Sequence, residues 1–415
     1  MNSKIKPNRE RQYFIDWLRI GLIISVFFFH VGMIFRPEQW HVNSDVSFDF
    51  LDPIMWWLHL WRMPLLFLVS GVGTFYAIGH RTSWQYLKER FTRLFIPLII
   101  GFFTLVPLMV YVERIDAYDS FLDYIPNMFD GGPYPVGNIS WHHLWFIVYL
   151  FVISLLITPF LNYTKSGHYN MLRGKLIHIV SKTRGLNWLI PIILLSQVIL
   201  RQYFPKSTHA LYNDWAYFTY YLIFFLSGFM LFTSSKVINA LSNDRRLYLY
   251  QTIFATILLF SLPSIFGQPS IVQNYSRGIT EMIISLSCGL TAIGYFKRYF
   301  NKDHKFRKVM NEAIYPFYLL HQPALIFVGY GVLKWDVSYG MQAVLITLIS
   351  LVSIIITYWF IIRKFNFLRI VFGMKIKVSK RSIVGQSNIE NVQKLKYQVI
   401  VQDSQILKTK ADEII

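Results

Sequence analysis

Ten stretches of mainly apolar residues, each near the ~20 residues a helix needs to cross a hydrocarbon layer, occupy most of this chain. They lie at 13–35, 53–78, 94–112, 144–163 and 188–204, then at 217–235, 248–265, 278–296, 314–333 and 341–362. Lipid offers the backbone no hydrogen-bond partner, so such segments must close their own N–H and C=O groups within helices. The expected fold is therefore all-α, a polytopic membrane bundle of about ten transmembrane helices. The 36 Phe, 26 Tyr and 12 Trp exceed what a soluble core can use and suit a bilayer. Pro191, Pro263, Pro316 and Pro323 interrupt some later stretches, which membrane helices tolerate where neighbours satisfy the freed carbonyls.

The net charge of +19 comes from basic residues in short loops between apolar stretches rather than along one exposed face, which argues against nucleic acid as a partner. The N-terminus and the even-numbered loops hold about 22 Lys and Arg against about five in the odd-numbered loops, so both termini are expected in the cytoplasm. The chain then divides into a basic N-terminus, 1–12, a membrane domain, 13–362, and a tail, 363–415. The tail opens RKFNFLRIVFGMKIKVSKR, basic and amphipathic enough to lie on an anionic inner leaflet. The first stretch follows a basic leader, yet Asp16 and Arg19 break it and no small-residue cleavage site follows, so it reads as a retained span. Cys288, the single cysteine, rules out an intramolecular disulfide. The outward loop 113–143, with its FDGGPYPVGN segment, is long enough to fold over an outward-facing pocket as a lid. No internal repeat is apparent, and the recurring pairs Ser70-Gly71 and Ser227-Gly228 read as points of close helix packing.

Within the first span, eleven residues separate Arg19 from His30, which brings both side chains to within about 20° of one helical face. Asp16 joins that stripe roughly 40° from His30. Ionisable groups within a span cost a few kcal/mol each, so three on one stripe mark either a functional site or an ion pair that fastens helices together. Arg90 and Arg93, at the inner entrance of the third span, suit either phosphate recognition or positive-inside anchoring. At the outer level lie Glu281, His59, Arg62 and the cluster Trp141, His142, His143 and Trp145. Glu281 is the expected acidic partner of His30, a helix N-terminal acid being its other reading. Trp56, Trp57, Trp61 and Trp141 offer stacking faces for a sugar, or form an interfacial belt. His321 and Gln322, between two prolines and placed near the cytoplasmic half of the ninth span, line a cavity or satisfy a broken helix. The histidines lack enough carboxylate or thiolate neighbours for zinc, and no metal is expected.

Arg19 and His30 with their ten-residue spacer, Arg90 and Arg93 with their two-residue spacer, and the pieces DWLR, SWHHLWFI and YPFYLLHQP resemble the acyltransferase-3 family of integral membrane acyltransferases over residues 13–362. The branch resembled includes the enzyme that succinylates osmoregulated periplasmic glucans. The resemblance implies transfer of an acetyl, succinyl or similar group from cytoplasmic acyl-CoA to a carbohydrate or other envelope acceptor, in the bacterial inner membrane. It needs no permanently bound cofactor, and acts directly or through a separate extracytoplasmic acyltransferase. On this reading Arg90, Arg93 and Arg19 hold the CoA phosphates, and His30 acts as base or transient acyl carrier with Glu281 and Asp16 beside it. His59, Arg62, Trp141, His143 and His321 are then the candidates for holding the acceptor or a developing oxyanion. The competing reading is a proton-coupled transporter or flippase for a polar envelope precursor.

Overall fold

The computed structural model describes residues 12–79, 81–268 and 270–377; the basic stretch 1–11 and the tail beyond 377 lie outside the described residues. Among the described residues every regular element is helical. The chain begins with α1 (Tyr13–Ile34) and α2 (Leu51–Ile78). It continues through α3 (Ser83–Arg90), a π-helical turn (Phe91–Phe95) and α4 (Ile96–Glu113) as one rod. A short α5 (Phe121–Asn127) lies in the following loop, before α6 (Trp145–Ile157), α7 (Gly167–Val180), α8 (Leu189–Leu200) and α9 (Trp215–Met230). Three long helices follow, α10 (Ser235–Phe266), α11 (Ile271–Tyr299) and α12 (Lys305–Val332). The described chain closes with α13 (Tyr339–Ile356), a second π-helical turn (Thr357–Ile362) and α14 (Asn366–Val371).

Helices occupy all ten predicted stretches, but seven of the described helical runs are long and apolar enough to cross a bilayer. An eighth is added if α7 and the run Gly185–Leu200, bent by 118° at their junction, count as one span. The fifth predicted stretch is thus the second limb of a bent pair. It ends at Leu200, since Phe204 precedes Pro205 and is pushed out of the helical region. α9 has only 16 residues, and α12, although 28 residues long, carries His321, Gln322 and two prolines that dilute its apolar character.

Two helix contacts organise the interior. The first joins α2 to α9 through the two Ser-Gly pairs: a Cβ on Gly71 would lie 2.0 Å from Phe225 O, and one on Gly228 would lie 1.9 Å from Leu68 O. Both obstacles are backbone atoms, so the helices can approach this closely only because neither position has a side chain.

The second contact joins α1 to α12, and it is polar. Asp16 meets Arg307, Arg19 meets Asn311 and His30 meets His321, at sequence separations of 291, 292 and 291. Nearly constant separation means that the two helices run parallel and in register. Beyond α13 the fold continues through Met374. Arg369 in α14 is buried and donates to Glu312 Oε1 at 2.7 Å, while Arg93 Nε donates to Gly373 O at 3.3 Å. The first part of the predicted amphipathic tail is therefore docked on α12 and on the π turn before α4.

Substituting Ala at Gly228 or Gly71 should cost about 2 kcal/mol, because a backbone contact cannot relax as a side chain does. The measurement is thermal unfolding of the detergent-solubilised protein. Gly73, on the same helix with nothing within 4 Å of its would-be Cβ, should accept Ala with an unchanged midpoint.

Candidate functional site

At the N-terminal end of the α1–α12 pair, Asp16 is the common acceptor: it pairs with buried Arg307 and, at 3.3 Å, with Arg19. Arg307 also binds Asp303 at 2.6 Å, and Arg19 donates to Asn311. The Arg307 contact holds the exposed Asp303 carboxyl below its ordinary range. Asp16 thus serves as a fastener between helices. Fourteen residues before His30, it lies about 21 Å away along the helix axis and cannot act on the same substrate atom.

Arg90 and Arg93 reach the same end. Both act electrostatically on Tyr315, a phenol whose hydroxyl is buried without a partner, and Arg93 also acts on Arg19. Arg93 is paired with Glu89 at 3.2 Å. Arg90 lies over the Tyr86 ring at 5.0 Å, its Nε buried and unpartnered. The structure therefore brings together Arg19, Arg90 and Arg93, which the sequence separates by some seventy residues.

About 16 Å further along α1, His30 has a partner different from the predicted one. Its Nδ1 lies 3.0 Å from Nε2 of His321, and the rings are nearly parallel at 5.1 Å. His321 Nδ1 lies 2.5 Å from the carbonyl of Tyr318. A carbonyl can only accept, so His321 carries its proton on Nδ1 and, when neutral, offers Nε2 as an acceptor. His30 must then donate from Nδ1, which leaves the lone pair on His30 Nε2. A backbone carbonyl thus fixes the tautomer of His30 through a second imidazole. His143 buttresses the arrangement: its Nε2 donates to Leu319 O at 3.1 Å, its ring stands perpendicular to His321 at 5.5 Å, and Tyr318 donates its hydroxyl to His143 O.

Glu281, expected beside His30, is elsewhere. It accepts from Arg277 Nε at 3.0 Å, and among the described residues it shares no hydrogen bond with His30. Nor is it an N-terminal acid, because α11 begins ten residues earlier at Ile271 and is capped by Ser270. His321 also sits at the depth of His30 and not toward the other side. Its helix starts at Lys305, well before the apolar stretch that marks it in the sequence.

The remaining predicted groups fall into two sets. Arg62 is buried, with Nε and Nη1 lacking any partner, and its guanidinium lies 3.9 Å from the centre of the Phe29 ring, next along the chain to His30. It is within electrostatic reach of His30, His59 and His321. His59 stands 6.3 Å from His209, whose ring packs on Trp145 at 4.2 Å. Burial holds the loop residue His209 down at about 4 and so neutral near pH 7. The expected stacking faces, by contrast, are committed to packing. Trp57 donates to Thr256 at 3.0 Å, Trp56 lies beneath Arg277 at 4.4 Å, and Trp141 packs on Phe102 at 5.2 Å.

The aromatic that does stack on His30 is Trp40, at 5.5 Å and 23°. It belongs to the QWH segment in the loop after α1. Beside it His41 pairs with Glu113, which also accepts from Tyr134 at 2.9 Å. Arg114 clasps the loop carrying Tyr134, donating to Asn138 Oδ1 at 2.7 Å and to Pro135 O at 2.6 Å. The signal for Trp40 and His41 was their place just beyond the end of a short span, from which a loop must fold back over the helix end.

Apolar helices enclosing histidines and arginines that lipid could not solvate form an integral membrane protein. A family described as an acyltransferase domain matches residues 12–362, and the chain belongs to this acyltransferase-3 family. Among its relatives is the glucans biosynthesis protein C of Escherichia coli strain K12, 21% identical over 392 residues that span 90% of this chain and 97% of the relative. The protein of the same name from Escherichia coli O81 strain ED1a is 21% identical over 400 residues, with the same coverage. No solved structure matches.

Replacing His321 by Ala removes the acceptor that fixes the His30 tautomer, so acyl transfer should fall by roughly 100-fold with donor affinity unchanged. Glu281→Gln should leave transfer near the wild-type rate. Initial rates and donor titration on the two purified variants check both outcomes.

Proposed function

We propose that this protein is a membrane O-acyltransferase that moves an acetyl, succinyl or related group from cytoplasmic acyl-CoA to a carbohydrate of the cell envelope. The carbohydrate is suggested by the relatives, which are named for the biosynthesis of glucans. The observation that carries the mechanism is the fixed tautomer of His30, whose Nε2 is left with its lone pair, with the buried Arg62 guanidinium, two of its nitrogens unpartnered, within electrostatic reach of the ring.

In this reading the charge bias of the loops puts both termini in the cytoplasm of a bacterium and ten spans in its inner membrane. The N-terminal end of α1 then faces the cytoplasm. Arg90 and Arg93, with Arg19, take the phosphates of CoA there, since planar guanidiniums suit paired phosphate oxygens. The pantetheine arm extends along α1 for the ~16 Å that separate Arg19 from His30. At His30 the thioester carbonyl meets the free Nε2, which acts as base or as transient acyl carrier. Arg62 faces the charge that develops on the carbonyl oxygen. Its unpaired state fits this role, because a donor placed for a charge that exists only during reaction lacks a permanent partner.

His30→Ala should abolish transfer while the protein still inserts and folds. Arg90→Ala and Arg93→Ala should each weaken CoA binding by about tenfold or more and leave acceptor affinity alone, with Lys restoring part of the loss. Isothermal titration with CoA and an assay of labelled acyl transfer test these outcomes. Full turnover in a folded His30→Ala protein would sink the assignment.

A further inference from the structure

His30 is not the only imidazole here held in one tautomer, and one of the others has a carboxylate of its own. His41 lies in the loop that returns from α1 to α2 and is only 8% exposed. Its Nδ1 pairs with Glu113 Oε2, and the other oxygen of Glu113 accepts from the Tyr134 hydroxyl at 2.9 Å. Both carboxylate oxygens are thereby fixed. Burial and the neighbouring carboxylate push the Tyr134 phenol up, so it remains a donor. A carboxylate only accepts, which places the proton of neutral His41 on Nδ1 and its lone pair on Nε2. Among the described residues no protein group bonds that nitrogen. His142 packs edge-on against His41 at 4.6 Å, and its Nε2 is buried without a partner. Trp40 stands between the two histidine systems, stacked on His30 at 5.5 Å and touching His41 at 5.1 Å.

Three elements distant in sequence converge to build this cluster: the loop after α1, the end of α4, and the loop clasped by Arg114. The carboxylate is held at both oxygens, which fixes the imidazole it orients, and the imidazole keeps its second nitrogen for another group. The arrangement is that of a carboxylate–histidine base waiting for a hydroxyl. Trp40, packed against both rings, joins the His41 cluster to His30.

We propose that His41, oriented by Glu113 and Tyr134, is the general base for the acceptor hydroxyl, and that His30 serves as the acyl carrier. This rests on the reading of His30 given above. In the first half-reaction His30 Nε2 bonds to the acyl carbon as the C–S bond breaks, and CoA leaves as a thiolate that takes a proton from water. In the second, the acceptor O–H gives its proton to His41 Nε2 while its oxygen bonds to the acyl carbon. The C–N bond to His30 then breaks and its electron pair returns to Nε2. The His41 imidazolium, facing Glu113, passes its proton to water.

The test uses the full-length protein in lipid nanodiscs with carbon-14-labelled acetyl-CoA or succinyl-CoA and a gluco-oligosaccharide acceptor. His41→Gln and Glu113→Gln should release a first-turnover burst of CoA and keep the label on His30, located by peptide mass spectrometry. Transfer to the oligosaccharide should be slowed by about 100-fold or more in both. Tyr134→Phe should show the same pattern with a smaller loss. Wild-type transfer by a folded His41→Gln or Glu113→Gln protein overturns the proposal, as does loss of the burst in both variants, which would place the pair in donor chemistry or in the fold. A burst that persists in His30→Ala, or a wild-type protein that releases no CoA from either donor, instead overturns the reading of His30 on which the proposal stands.

Discussion

The parallel pairing of α1 with α12 is the constraint around which the interior is arranged. Asp16, Arg19 and His30 share one stripe of α1, and lipid can hydrogen-bond none of them, so the stripe needs a facing surface of matching polarity at matching heights. α12 provides it with Arg307, Asn311 and His321 in the same order and at nearly the same spacing. One contact fixes the register of the other two, since sliding either helix by a turn would leave a buried guanidinium or imidazole without its partner. The pairing separates two chemistries along one axis, arginine-rich at one end and imidazole-rich at the other. The roles proposed for the arginines and histidines depend on that separation.

Much of the fold was legible because membrane insertion writes it in simple terms. Helices lie at every apolar stretch marked in the sequence, and the repeated Ser-Gly pairs meet where α2 and α9 touch. The Arg19–His30 stripe was legible too, since helical periodicity alone puts the two on one face. What faces that stripe was not. The partner of His30 comes from 291 residues away, and single-sequence reasoning selects partners by chemistry, which favours a carboxylate such as Glu281 over another histidine. The charged start of α12 hid the helix's true beginning and displaced His321 in depth. The tryptophans of α2 drew attention through their number, whereas Trp40, alone in a loop, is the one that packs on His30.

Family membership gives the class of reaction, and the geometry supports the proposed division of labour, which motif spacing does not contain. The motif pairs account for the arginines and for His30. They say nothing of Arg62, buried with two nitrogens unpartnered, or of the cluster formed by His41, Glu113, Tyr134 and His142. These residues come from separate loops and spans and have no common sequence pattern. Their association is a product of tertiary structure.

The π-helical turn Phe91–Phe95 sets the phase of the helix that carries the arginine pair. Such a turn holds one residue more than an α-helical turn, so everything before it is rotated by about 100° relative to a continuous helix. Arg90 stands just ahead of the turn and Arg93 lies inside it, and both act on Tyr315 of α12, so the turn sets the phase of α3 and Arg90 against the α4 rod. The pair therefore tolerates change in kind better than change in count. Relatives that vary the residues between Phe91 and Phe95 can keep the arginine cluster, but a chain shortened there by one residue would turn α3 and Arg90 by about 100° relative to α4 and away from Tyr315.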